Sequence, residues 1–115
     1  MNESDSYWKE MAEKYITWFQ PFTNISAGGF TDGDIRWFEN GKLNACYNCV
    51  DRHLPHKADE TALIWESDEA QDSTKVTYKE LLQRVCKVAN VLMAQGVKKG
   101  DVVTIYLPMI PEVGF

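Results

Sequence analysis

The side chains with the most chemical potential at close spacing are Cys46, Cys49, His53 and His56. Thiolate sulfur and imidazole nitrogen are the ordinary donors of structural zinc. Asn44 is suited to cap a helix that runs from about Ala45 to Leu54 and stops at Pro55. On a continuous helix the first and last of these residues are separated by about 15 Å of rise, at ~1.5 Å per residue. A tetrahedral site needs its donors within ~2.3 Å of one ion. One helix can therefore offer two adjacent ligands but not four, unless it breaks near Leu54–Pro55. The competing reading has the cysteines packing as small apolar groups, on one inner face with Val50, His53 and Leu54. A redox role for the Cys46/Cys49 pair would use the helix N-terminus to lower a thiol pKa, but no thioredoxin-like strand precedes it.

Other chemistries are matched less well. Asp32 and Asp34 resemble the opening of a calcium loop, yet Arg36 and Trp37 stand where a third oxygen ligand and a glycine are required. Gly41–Lys42 lacks the upstream glycine and following hydroxyl of a phosphate loop, and the Gly28–Asp34 stretch contains no G-x-G-x-x-G. Lys98 and Lys99 read as a solvated turn. No serine sits in a nucleophile elbow. Spacing assembles no catalytic, cofactor-binding or metal site.

The elements that would position such groups are clearer, above all in Thr77–Glu112. Thr77 and Glu80 have capping-box spacing. Leu81, Leu82, Val85, Val88, Ala89 and Leu92 follow at helical steps, and Gly96 supplies a left-handed stop. After the Lys98–Asp101 turn, Val102–Leu107 is a nearly continuous β-branched run closed by Pro108. Such a run predicts a strand buried on both faces of a parallel sheet. A parallel crossover takes about a dozen residues or more, and eight follow Leu107. The sheet that would bury this strand is therefore expected to lie largely outside the chain.

Upstream, Asp5 or Ser6 can cap a first helix carrying Trp8, Met11, Ala12, Tyr15, Ile16 and Phe19 on one face, ended by Pro21. That aromatic stripe reads as core or interface packing rather than a ligand box. Asn24–Asp34 reads as a glycine-rich loop and Ile35–Phe38 as a short strand. Asn40–Gly41 reads as a turn, with brief pairing of Lys42–Leu43 after it. Thr61–Glu66 and Lys75–Val76 read as strands flanking an acidic loop. The fold class is α/β: N-terminal helices and a short hairpin, then the first helix and strand of a larger domain.

Bulk properties narrow the partners. The 115 residues carry 12 basic and 17 acidic side chains, a net charge of −5, which argues against nucleic acid. Three cysteines, an odd number, favour a reducing compartment over a disulfide framework. No signal-peptide pattern or bilayer-length apolar run is visible.

Taken in order, IRWFENGKLNACYNCVDRHL, TALIWE, TYKELLQRVCKVANVL, GVKKGDVV and IYLPMIPE resemble the N-terminal part of the acetyl-coenzyme A synthetases. These are AMP-forming acetate–CoA ligases of the adenylate-forming superfamily. The resemblance spans about Tyr7 to Glu112. Its narrower signature is Asn44 with Asp51–Arg52–His53, then Ile64–Trp65–Glu66. It implies a division into an N-terminal region, 1–60, and the truncated start of the large domain, 61–115. It also implies acetate, ATP, Mg2+ and CoA as substrates and cofactors of an intact enzyme, which would be cytoplasmic, nuclear or mitochondrial. The family's phosphate loop, ribose contact, catalytic lysine and CoA contacts match no stretch here, so no site residue carries over. Asp51 and Arg52 are expected as an ion pair, and the chain alone is expected to be inactive. The rival expectation is a truncated isoform that docks on full-length synthetase through the Trp8–Phe19 face.

Overall fold

The computed structural model describes residues 3–31, 33–69 and 72–115. The chain divides into two compact units, Met1–Cys49 and Val50–Phe115.

The first unit places helix α1 (Glu3–Tyr15) against a two-stranded antiparallel hairpin, β1 (Asn24–Gly29) and β2 (Asp34–Glu39), followed by the short helix α2 (Ala45–Cys49). Asp5 and Ser6 lie inside α1 rather than at its cap. Asp5 instead accepts the Ser26 hydroxyl at 2.8 Å, tying the helix to β1. The helix is also shorter than its apolar stripe. Ile16 still donates to the Ala12 carbonyl, but the Thr17 N–H turns to Asn48 Oδ1 at 2.7 Å. A side-chain acceptor thus replaces the next helical carbonyl and ends α1 before Pro21. Phe19 and Gln20 then bond the Lys42 carbonyl, and Lys42 bonds back to Gln20. The brief pairing expected of Lys42 therefore forms, with Gln20 as its partner.

β1 occupies part of the stretch expected as a loop. Gly28 faces Ile35 in the register and has φ +75°, and an added Cβ would overlap the Asp34 carbonyl. Gly28, one of the glycines that suggested a loop, is what lets the two strands approach. Near the end of β2 and just past it, Phe38 and Asn40 have positive φ, 51° and 63°, and the Gly41 N–H closes onto the Phe38 carbonyl. A bulky residue in that region is strained. Phe38 is held there by Trp18 and Phe22, with ring centroids 5.7 and 5.1 Å away.

The second unit opens with a 3-10 turn (Asp51–His53) that runs into α3 (Leu54–Lys57), then the hairpin β3 (Thr61–Glu66) and β4 (Ser73–Thr77), then α4 (Tyr78–Ala94). The single helix expected over Ala45–Leu54 is therefore interrupted. Val50, at φ −124° and ψ −68°, breaks it, and Pro55 sits in the first turn of α3 rather than after a helix end. That position suits proline, whose missing N–H is not needed there. In the β3–β4 pairing Val76 faces Leu63 and is fully buried.

α4 begins and ends as its sequence dictates. The Glu80 N–H donates to Thr77 Oγ1, and the Thr77 N–H donates to Glu80 Oε2 at 2.9 Å. At the far end Gly96, with φ +83°, bonds the Met93 carbonyl while Val97 bonds that of Leu92, a Schellman stop. Along the helix Leu81, Leu82 and Val85 are half-buried, but Val88, Ala89 and Val91 are exposed.

Val102–Leu107 departs most from expectation. It forms no strand, and all six residues are exposed, Val102 at 92% and Tyr106 at 97%. None of its backbone groups bonds to another described residue. A strand needs a ladder partner, and no described segment aligns with this one. Past it, a 3-10 turn (Pro111–Gly114) brings the C-terminus back toward the unit. The Trp65 indole N–H donates to the Met109 carbonyl at 2.8 Å, and the Arg84 guanidinium lies 5.4 Å over the Phe115 ring.

Candidate functional site

The four sulfur and imidazole side chains fall on three separate elements. Cys46 and Cys49 lie on α2, His53 ends the 3-10 turn, and His56 lies on α3. Cys46 is half-buried, while Cys49 and His56 are exposed, so the shared inner face expected of the segment does not form. The buried residue of α2 is Asn48. No disulfide joins the cysteines. His53 packs its ring against Tyr78, centroids 5.3 Å apart, at the start of α4. Among the described residues no three His, Cys, Asp or Glu side chains are grouped as metal ligands.

Of the candidate calcium pair, Asp32 lies outside the described residues. Asp34 pairs with Arg36 at 3.2 Å, and Arg36 reaches Glu39 at 2.8 Å. Lys98 and Lys99 are exposed on their turn, where the Lys98 N–H donates to Asp101 Oδ2 at 2.7 Å. Asp51 and Arg52 are half-buried on the 3-10 turn.

What the sequence reading missed is Asn48. Its amide accepts from Thr17 N–H and donates to the Thr17 and Asn44 carbonyls, at 2.7, 3.0 and 3.0 Å. Asn44 in turn caps α2 by accepting the Tyr47 N–H. Asn48 thereby joins α2 to the exit of α1, a structural role that no local spacing announces.

The first unit also holds a cleft of about 360 Å³ lined by Trp8, Met11, Tyr15, Ile16, Trp18 and Phe38, with Ala12 and Leu43. Trp18 is fixed there by its indole N–H, which donates to the Ala12 carbonyl at 3.0 Å. The lining contains no charged side chain. The cleft can accept apolar surface but offers nothing to neutralise a phosphate or polarise a carbonyl.

Comparison with known proteins supplies what the geometry does not. A family profile described as "AMP-binding enzyme" matches residues 50–114. The chain belongs to that family. The remaining part of this AMP-binding enzyme sequence, residues 1–49, matches a profile described as "Acetyl-coenzyme A synthetase N-terminus". The junction between the two matches coincides with the junction between the two compact units. The sequence is 54% identical over 114 residues to an acetyl-coenzyme A synthetase of Syntrophobacter fumaroxidans, covering 97% of this chain and 17% of that protein. It is 49% identical over 112 residues to one from Alkalilimnicola ehrlichii, with coverages of 97% and 17%. It is 50% identical over 112 residues to acetyl-coenzyme A synthetase 2 of Saccharomyces cerevisiae, with coverages of 97% and 16%. This AMP-binding enzyme chain thus spans about a sixth of the length of the curated relatives it matches. None of its described helices is long and apolar enough to cross a membrane.

Proposed function

We propose that this chain forms the N-terminal region of an AMP-forming acetate–CoA ligase, which makes acetyl-CoA from acetate, ATP and CoA through an acetyl-adenylate. The observation that carries this reading is the uninterrupted match of both units, in order, to synthetase sequences at about half identity. In this reading the first unit is the synthetase N-terminal region and the second opens the large nucleotide-binding domain.

The first chemical step brings a carboxylate to the α-phosphate of ATP. Both are anionic, so Mg2+, cationic side chains and backbone N–H donors must surround the reacting atoms. The described residues do not fit that task. The cleft beside α1 is apolar, the described acids form no group of metal ligands, and Lys98 and Lys99 stand on an exposed turn. ATP, Mg2+ and CoA are accordingly assigned to the rest of a full-length synthetase. The proposed compartment is the cytoplasm, with nucleus or mitochondrion open to the intact protein.

The test is acetate-dependent exchange of pyrophosphate into ATP by the purified 115-residue chain. No exchange is expected. Exchange at the rate of an intact synthetase would place the catalytic groups within these residues and overturn the assignment.

A second reading is favoured by the exposure of Trp8, Tyr15 and Phe19. The chain would act as a non-catalytic interaction module that docks on full-length synthetase. Co-purification with the synthetase, lost on changing Trp8 and Ile16 to aspartate, supports that reading. No co-purification of the unaltered chain excludes it.

A further inference from the structure

Asn40–Gly41 is the one place in the sequence where glycine follows asparagine. Glycine leaves its amide nitrogen unshielded, so this pair cyclises to an imide more readily than asparagine before any other residue. The fold nevertheless requires both members. Asn40 has φ +63°, a region asparagine tolerates better than most side chains. A Cβ added at Gly41 would stand 2.6 Å from the Trp18 ring. That ring cannot easily yield, because its N–H is bonded to the Ala12 carbonyl and it packs on Phe22 and Phe38. The turn therefore retains a labile pair, with Asn40 exposed to water.

Both reacting groups are tied down. The Gly41 N–H, which must lose its proton, donates to the Phe38 carbonyl at 3.0 Å. The Asn40 side-chain amide, which would be attacked, donates through Nδ2 to Thr23 Oγ1 at 2.8 Å. The Asn40 backbone carbonyl accepts from Gln20 Nε2 at 2.9 Å, which holds the peptide that joins the two. We propose that Asn40–Gly41 is a deamidation site kept closed by these bonds, and that it reacts when the first unit opens.

In the reaction, hydroxide removes the Gly41 amide proton and the nitrogen attacks Asn40 Cγ. The Cγ–Nδ2 bond breaks, and Nδ2 leaves as ammonia after taking a proton from water. Water then adds to either carbonyl of the cyclic imide and breaks its C–N bond, giving aspartate or isoaspartate. The sum is asparagine and water to carboxylic acid and ammonia, with nothing oxidised or reduced. The new carboxylate cannot donate to Thr23 Oγ1, and it adds negative charge beside Glu39. Return to the closed turn is disfavoured, so the product is a lasting record of opening. The site is independent of the ligase reading, because every bond it uses lies within the first unit.

The test ages the 115-residue chain and a synthetic peptide of residues 37–43 in the same mildly alkaline buffer and follows Asn40 by mass spectrometry. The chain should convert about tenfold or more slowly than the peptide, with its Gly41 amide protected from hydrogen exchange. Urea should raise the rate in the chain to that of the peptide as the first unit unfolds. Thr23→Val keeps the side-chain shape, removes the acceptor and should speed conversion severalfold while circular dichroism matches the parent. The proposal is overturned by a chain that converts as fast as the peptide without urea, by a rate that urea leaves unchanged, or by a folded Thr23→Val variant no faster than the parent.

Discussion

Trp65 and Met109 are 44 positions apart, yet the indole N–H of one donates to the backbone carbonyl of the other at 2.8 Å. This bond fastens the chain beyond Pro108 to β3, and Gly114 then reaches within 3.9 Å of Leu63 for an added Cβ. Between the Lys98–Asp101 turn and this anchor, Val102–Leu107 makes no backbone hydrogen bond to another described residue. Trp65→Phe keeps the ring and removes the donor. It should lower the stability of the second unit by about 1 kcal/mol, read from urea unfolding. Amide exchange should quicken at Ile110, Val113 and Phe115 while β4 is unchanged.

Asn48 satisfies two backbone groups of Thr17 and one of Asn44. Asn48→Ala removes the side-chain partner of the Thr17 N–H and carbonyl in a part-buried site, while the Asn44 carbonyl keeps the Asn48 N–H, and should cost about 1–3 kcal/mol. Asn48→Asp is expected to be nearly as damaging, because a carboxylate can accept from Thr17 N–H but cannot donate to the two carbonyls. Near-ultraviolet circular dichroism of the Trp18 environment, followed through thermal unfolding, checks both variants.

The β1–β2 hairpin turns on Gly28 and not on its neighbour. Gly28→Ala meets both a positive φ and the Asp34 carbonyl, and should destabilise the hairpin by more than about 1 kcal/mol. Nothing lies within 4 Å of a Cβ added at Gly29. Gly29→Ala should therefore be close to neutral, and thermal melts of the pair provide the comparison.

The Glu80 carboxyl is held below its ordinary pKa, first by the Thr77 N–H, then by the Thr77 hydroxyl, with Arg84 contributing a smaller attraction. A depressed folded-state pKa adds stability above the unfolded carboxylate pKa and loses it as pH falls through the folded value. Amide protection in the first turn of α4 should therefore decline as pH drops through the acidic carboxylate range. Glu80→Ala should abolish that dependence, and Thr77→Ala should cost about 1 kcal/mol at neutral pH.

The ends of α4 were legible because their signals are local. Thr77, Glu80 and Gly96 each act within a few residues of where they stand. The β3–β4 hairpin was legible from the weak alternation of Thr61–Glu66, which is also a local signal. The length of α1 was not, since its last turn is decided by Asn48, 31 positions beyond Thr17. β1 was hidden by Gly28 and Gly29, whose low strand propensity is overridden by pairing with β2. The break at Val50 separated thiols from imidazoles that a continuous helix would have put nearer one face. Val102–Leu107 has the composition of a buried strand, but composition cannot supply a ladder partner, and the described residues contain none. The absence of matching phosphate-binding and catalytic motifs was read from the sequence, and the family came from whole strings rather than from any cluster of reactive groups.

The most direct test of the ligase assignment replaces the matched N-terminal region of the Syntrophobacter fumaroxidans synthetase with this chain and measures acetate-dependent ATP–pyrophosphate exchange. The assignment predicts a folded chimera that retains exchange, with Val102–Leu107 amides strongly protected where they exchange freely in the 115-residue chain. A chimera that folds, leaves those amides unprotected and shows no exchange would contradict it.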